Sequence, residues 1–473
     1  MRAKRSSLVP EEIGSAAPEP GSGIPLGLFG SLDTTEELAG ATSDRAWLQA
    51  ILDFEAALAL AEAEAGLLPA PAAAEVAARC QAANFDPEQL GRAAPAGGSP
   101  VLPLIRALMD QLPEETANWV HWGATSQDAL DTAMMLVAQR SSQLILADLA
   151  GAAEACAALA DRHRATLQVG RTLLQHAVPS TFGLQAAQWL TAIVEVQTSL
   201  ADVAATRLAV QLAGAAGTLA SLDKSGTTVV ALLAQRLQLA EPVLPWHTDR
   251  VRPAQLAAAL GMASGVAAKI ARDVVLLSQT ELGEVSESAG EGRGASSTMP
   301  QKRNATNSIA IIAAYRRSGG LVSVILGGMA QELERSAGDW QAEWTTVTEL
   351  LRLTGGVARR LHQLLAGLQV DEARMAANLE LSQGGVMAER IALQLAKRLG
   401  RAPARQAVAA AWRRRSAGGS TLHDELARDA QVARELSPAQ LDELFEPRSY
   451  LGATGEFIDR ALAQWPGPPE EHA

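Results

Sequence analysis

The sequence predicts an all-α protein organised around a central bundle of long helices. Three observations carry that reading. Proline is absent between Pro113 and Pro179, between Pro179 and Pro242, and between Pro300 and Pro403, and each gap is filled mainly with Ala, Leu, Val and Gln. Such stretches sustain long helices because nothing removes a backbone donor or breaks the ladder. Apolar residues recur at helical spacing, and almost nothing alternates in the strand period. Several helices are also apolar on more than one side, as expected of helices that bury against other subunits as well as their own.

Taken in order, residues 1–24 read as a disordered tail. Its basic start is followed by Pro, Ser, Gly and Glu where a secretory signal needs an apolar core. An N-terminal helical domain is expected over 25–113. Its main helix is capped by Thr42 or Ser43, ends at Gly66 and Pro69, and aligns Trp47, Ile51, Phe54, Leu58 and Ala61 on one face. The long-helix bundle is assigned to 114–368. One stripe there is Leu130, Met134, Val137, Leu144, Ile145 and Leu149; another is Leu256, Leu260, Ala263, Val266, Ile270 and Val274. After Gln369 the helices become shorter and more charged, broken by Gly384-Gly385, Gly418-Gly419 and Pro438. This predicts a small C-terminal helical domain over 369–473.

The chain of 473 residues carries a net charge of -12. That balance argues against nucleic acid or an anionic membrane as a partner, while a small anion remains compatible if cations converge locally. Cys80 and Cys156 are too few for a disulfide framework or a cysteine metal site, and their Ala-rich surroundings predict buried free thiols. No uninterrupted apolar stretch approaches membrane-spanning length, so a cytoplasmic protein is expected. Metal-ligand spacing and phosphate-binding glycine motifs are both missing, which predicts no cofactor.

Three polar segments interrupt the helical pattern. Gly283 to Thr306 begins with Gly, Ser and Glu, and then gathers Ser296, Ser297, Lys302, Arg303 and Asn304 around Met299-Pro300 before a long apolar helix. Composition alone reads this as a polar inter-helix loop. A flexible loop bringing hydroxyls, an amide and cations to a helix N-terminus is also suited to gripping a carboxylate. His121 to Ala133, HWGATSQDALDTA, sets Thr125 or Ser126 as the cap of a long helix, with Asp128 near its positive end. The third segment, Gly170 to Gly183, is GRTLLQHAVPSTFG. Capping explains Thr125 and Ser126 without any ligand. A satisfied structural role is the simplest reading of His121, and surface ion pairing is the simplest reading of Arg45 and Arg335.

The order of residues adds a resemblance. SSTMPQKRN, from Ser296 to Asn304, resembles the signature loop of the fumarase/aspartase superfamily, whose members add or eliminate groups β to a carboxylate. The likeness extends from about Ser31 to Leu462. It tightens, through HWGATSQDALDTA, GRTLLQHAVPSTFG, LAGAAGTLAS, PWHTDR and ERSAGDWQAEW, around the 3-carboxy-cis,cis-muconate cycloisomerase branch. A fumarate-releasing group that eliminates nitrous acid from nitrosuccinate is the alternative. A non-catalytic, crystallin-like protein is the alternative from another class.

The resemblance implies a three-domain fold, a homotetramer with shared active sites and a small carboxylate substrate. It assigns the base to Ser296, with Lys302 and Asn304 around the carboxylate next to the abstracted proton. Thr125, Ser126, Thr172 and Gln175 orient the other carboxylate, and Ser297 supports the loop. His121 lines the site as a catalytic residue, Arg45 and Arg335 lie near substrate, and His176 and His247 are further candidates. Where adenylosuccinate and argininosuccinate lyases carry a catalytic histidine after the threonine, this chain has Leu173. A leaving amine or alkoxide needs a proton, whereas a carboxylate or nitrite departs as an anion, so Leu173 speaks against adenylosuccinate lyase chemistry.

Overall fold

The computed structural model describes residues 27–288, 294, 299, 301–418, 420–465 and 467. The protein is predominantly helical, as the sequence predicts. Ser43 caps helix α1 (Asp44–Glu64) by accepting the Ala46 N–H, while Thr42 closes the preceding short helix. The bundle is built from α2 (Ser126–Arg162), α3 (Phe182–Thr206), α4 (Val251–Leu277), α5 (Thr306–Gly327) and α6 (Asp339–Ala366). Contacts along their lengths fix their directions. Asp131 of α2 meets Arg250 at the head of α4 and Trp340 at the head of α6, and Ser264 meets Thr354 further along. These three helices therefore run the same way. Phe182, opening α3, packs on His163 at the end of α2, and Asn307, opening α5, meets Arg360 late in α6. α3 and α5 therefore run against the other three.

The predicted stripes are largely buried. Leu130, Met134, Val137, Ile145 and Leu149 face the core, and Leu144 turns outward at 36% exposure. One hydrophobic core joins α1 to the whole bundle, and a second forms among Leu379, Ile391, Leu395, Val408 and Leu426 of the C-terminal helices, with Val169 reaching in. Close backbone approach is needed at Gly183, where an added Cβ would lie 2.7 Å from the carbonyl oxygens of Ala160 and His163. Both cysteines are buried free thiols.

Two features depart from the sequence reading. A short antiparallel hairpin, β1 (Leu167–Thr172) with β2 (Gln175–Thr181), leaves the bundle after α2. Its two-residue turn is Leu173-Leu174, at φ 50° and 63°. Glycine or asparagine is the usual occupant of such a turn and would have announced it. α2 and α5 are also long and apolar enough to cross a membrane by length and composition alone. α2 runs through the bundle core, and Arg317 in mid-α5 pairs with Asp33 and Glu349.

A buried ion cluster sets the register of the bundle. Arg250, fully buried, donates to Asp131 at 2.9 and 3.0 Å and to Glu343 at 3.0 Å, and its guanidinium lies 4.9 Å from the Trp246 ring centroid. Trp340 Nε1 also donates to Asp131, at 3.0 Å. Removing one partner of a buried pair leaves an uncompensated charge and costs about 3–5 kcal/mol. Arg250→Met is accordingly expected to lower the thermal unfolding midpoint clearly in a calorimetric comparison with wild type. An unchanged midpoint would show that the cluster contributes nothing net to register or stability.

Candidate active site

The sequence-predicted polar residues gather at two places in the chain. The first is the head of α2. Thr125 is the N-cap and forms a capping box with Asp128, whose Oδ2 accepts the Thr125 N–H at 3.0 Å. Asp128 also accepts from the backbone N–H groups of Ala213 and Gly214, both at 3.0 Å, and from His247 Nε2 at 2.8 Å. His247 is 4% exposed and lies behind the cap, its Nε2 bonded to Asp128. The Thr125 hydroxyl accepts from Arg335 Nη1 at 2.9 Å, and the same guanidinium reaches the carbonyls of Gly214 and Ala215. Ser126 opens α2, half-buried, and Arg45 is exposed in the first turn of α1. His121, four residues before the cap, adopts φ 58° and places Nδ1 2.7 Å from Glu55 Oε1.

The second place is organised by two glutamates. Glu284 is fully buried and accepts two hydrogen bonds from Arg171, at 2.6 and 2.9 Å, one from Gln168 and one from Asn378 at 2.8 Å. It thereby fastens the hairpin to the start of the 283–306 segment. Glu287 accepts from the N–H groups of Asn307 and Ser308, at 3.0 and 2.9 Å, and from the Ser308 hydroxyl at 2.7 Å. The main-chain N–H of Asn304 donates to the Gly294 carbonyl at 3.0 Å, and its side-chain amide does so at 3.3 Å. A small cavity beside them, about 20 Å³, is lined by Glu287, Ser288, Gly294, Arg303 and Asn304. Lys302 is exposed. Ser296 and Ser297 lie outside the described residues.

The sequence reading looked to the N-terminus of α5 to grip a ligand carboxylate. In the structure its first backbone donors are already bonded to Glu287. A helix N-terminus favours a negative charge whatever its source, and Glu287 is close by in the chain.

Thr172, Gln175 and His176 stand exposed at the hairpin end, beside an open cleft of about 820 Å³ that Trp412 and Arg405 line from the other side. Partial burial and the nearby Arg171 charge hold the His176 imidazolium below its ordinary range, partly offset by Glu284. These residues do not meet Thr125 within one chain. α2 has 37 residues, a length of about 55 Å at 1.5 Å per residue, and the hairpin leaves from its far end.

The contacts of Glu55, Glu284 and Glu287 escaped the sequence reading. Glu55 did leave a signal: with Glu62 it puts a carboxylate among the apolar positions of α1.

The bundle of long helices carries polar turns at its ends, and comparison with known proteins identifies the family. The family described as Lyase matches residues 31–317, and the adenylosuccinate lyase C-terminus family matches 384–461. The chain belongs to the fumarase/aspartase superfamily and is an enzyme related to the muconate cycloisomerases. It is 43% identical over 438 residues to a 3-carboxy-cis,cis-muconate cycloisomerase of Bradyrhizobium diazoefficiens, covering 92% of this chain and 97% of that one. It is 41% identical to a nitrosuccinate lyase of Streptomyces davaonensis, over 94% of this chain and 96% of that one. The solved 3-carboxy-cis,cis-muconate lactonizing enzyme of Pseudomonas putida superposes with a TM-score of 0.87 at 40% identity, covering 93% and 98% of the two chains. Superfamily members act on small carboxylates.

Glu287→Ala removes three hydrogen bonds from the head of α5. By analogy with lost helix caps, a cost of about 1–2 kcal/mol is expected. Hydrogen exchange should speed up over 304–310 and stay unchanged in α2. Unchanged protection at Asn307 and Ser308 would mean that another group caps α5.

Proposed function

We propose that this enzyme interconverts 3-carboxy-cis,cis-muconate and its γ-lactone, an intramolecular addition of a carboxylate across a carbon–carbon double bond. The observation that carries this reading is identity of about 43% with a cycloisomerase across nearly the whole of both chains. Leu173 adds support, since a carboxylate leaves without the proton that an amine requires. Nitrosuccinate elimination is the second reading, favoured by 41% identity to a nitrosuccinate lyase over a similar span.

In either case the proton removed lies α to a carboxylate, and its loss puts a second negative charge on an anion. Preorganised donors are the strongest available means of stabilising that dianion. Lys302 and Asn304 would supply them, and Ser296 would take the proton, its alkoxide held by loop N–H groups and positive charge. Ser297 would support the loop. Thr125, Ser126, Thr172 and Gln175 would orient the remaining carboxylate, with Arg335, Arg45 and His121 nearby. The length of α2 and the exposed hairpin support a homotetramer in which different chains contribute these groups to one site. The exposed apolar residues Ile309, Val324 and Leu326 of α5 are consistent with contact between copies. We place the enzyme in the cytoplasm.

Turnover of 3-carboxy-cis,cis-muconate and of nitrosuccinate, compared by ultraviolet absorbance, tests the substrate. The muconate should be the better substrate by kcat/KM, and the reverse order would select the second reading. Ser296→Ala should lower kcat by several orders of magnitude with fold and mass unchanged. Near-normal turnover would move the base elsewhere, first to Ser297. Mixing Ser296→Ala subunits with a Thr125→Ala, Ser126→Ala double variant should restore part of the activity. Failure to do so despite demonstrated subunit exchange would mean that each chain builds its own site.

A further inference from the structure

His121 and Glu55 form a contact that no helix-packing requirement explains. Glu55 lies in mid-α1 with a fully buried side chain, and its Oε1 sits 2.7 Å from His121 Nδ1. His121 holds this position at φ 58°, a left-handed conformation that costs a non-glycine residue about 1–2 kcal/mol. Strain of this kind persists where the surroundings hold a residue for a purpose. The ring is 17% exposed at its side chain, so it stands between the buried carboxylate and the solvent at the head of α2.

We infer that Glu55 is a positioning residue: it accepts the Nδ1–H of His121, orients the ring, and so presents Nε2–H as a charged hydrogen-bond donor to a substrate carboxylate at the head of α2. The inference rests on the carboxylate-lyase reading above and deepens it. It gives His121 a binding and charge-stabilising part that requires no proton transfer, in keeping with a leaving group that departs as an anion.

The surrounding charges point the same way. Burial acts most strongly on His121 and disfavours its cation. The charge and hydrogen bond of Glu55, with the charge of Asp128, outweigh it and hold the imidazolium above its ordinary range. Around Glu55 stand Glu62, Asp53 and the Cys80 thiol. Burial, then the charges of Glu55 and Asp53, push that thiol far up, so it stays neutral. Glu62 is fully buried two turns further along α1, and among the described residues neither of its oxygens has a hydrogen-bond partner. Burial and then the Glu55 charge push it up to about 9, so near neutrality Glu62 is protonated and adds no negative charge beside His121. Because the folded pKa of His121 is raised, its cation stabilises the fold fully below the unfolded value, and that contribution is lost as pH rises through the folded one.

The test uses the full-length protein with histidine labelled for NMR. In wild type, His121 should titrate above the ordinary histidine midpoint. Glu55→Gln, which keeps the side-chain shape, should lower that midpoint by one pH unit or more. The alkaline fall in kcat/KM for 3-carboxy-cis,cis-muconate should move down by the same interval, about a tenfold loss on that limb, with kcat at lower pH changing less. Glu62→Gln, which replaces a neutral acid, should leave the midpoint within a few tenths. Affinity for the unreactive tricarboxylate tricarballylate should fall in wild type as His121 loses its proton. A wild-type midpoint at or below the ordinary value would overturn the inference without any variant. So would an unmoved midpoint in Glu55→Gln, or tricarballylate binding indifferent to the titration. Absence of muconate and nitrosuccinate turnover in wild type would sink the substrate reading alone, because titration and tricarballylate binding are measured without turnover.

Discussion

The buried carboxylate of Asp128 is the interaction on which the head of the bundle depends. Taking a carboxylate out of water is unfavourable unless donors converge on it, and here four do: Thr125 N–H, Ala213 N–H, Gly214 N–H and His247 Nε2. The four donors come from three separate stretches, so satisfying one charge ties the 121–125 turn, the 213–214 segment and the 246–250 segment to one point. Asp131, three residues on, binds Arg250, which in turn holds Glu343. A single turn of α2 therefore carries two buried carboxylates that fix where α4 and α6 begin. Thr125 and Arg335 stand on this frame, so their mutual geometry is set by rigid elements rather than by a loop.

The same physics recurs near the other end with a different effect. Glu284 and Glu287, three residues apart, hold the hairpin and the head of α5 to the start of the 283–306 segment. Both long helices that open next to predicted site residues have backbone donors bonded to carboxylates of the chain itself. Arg335, Lys302, Asn304 and His121 are cationic and polar side chains at these two places.

Length does the remaining work. With 37 residues, α2 separates Thr125 from the hairpin by more than any side chain can span. An exposed Leu173-Leu174 turn, 97% and 69% accessible, carries Thr172 and Gln175 away from the core of its own chain. Leucines held in left-handed conformations and left in water are unfavourable twice over, by backbone strain and by apolar exposure.

By itself the sequence determined the helical class, because proline-free, alanine-rich stretches and apolar stripes are local properties. It also determined the family, since SSTMPQKRN and HWGATSQDALDTA are contiguous strings. The cap at Thr125 and its Asp128 partner were legible for the same reason, lying three residues apart. Only the tertiary structure decided that His121 meets Glu55, 66 residues away, and that Arg171 meets Glu284, 113 residues away. It alone showed that Glu287 fills the head of α5, and that Leu173 and Leu174 turn a hairpin with no glycine or asparagine to signal it. Periodicity and capping report on neighbours within a few residues. The partner of a buried charge is chosen by which distant segment the packed bundle brings within hydrogen-bonding reach.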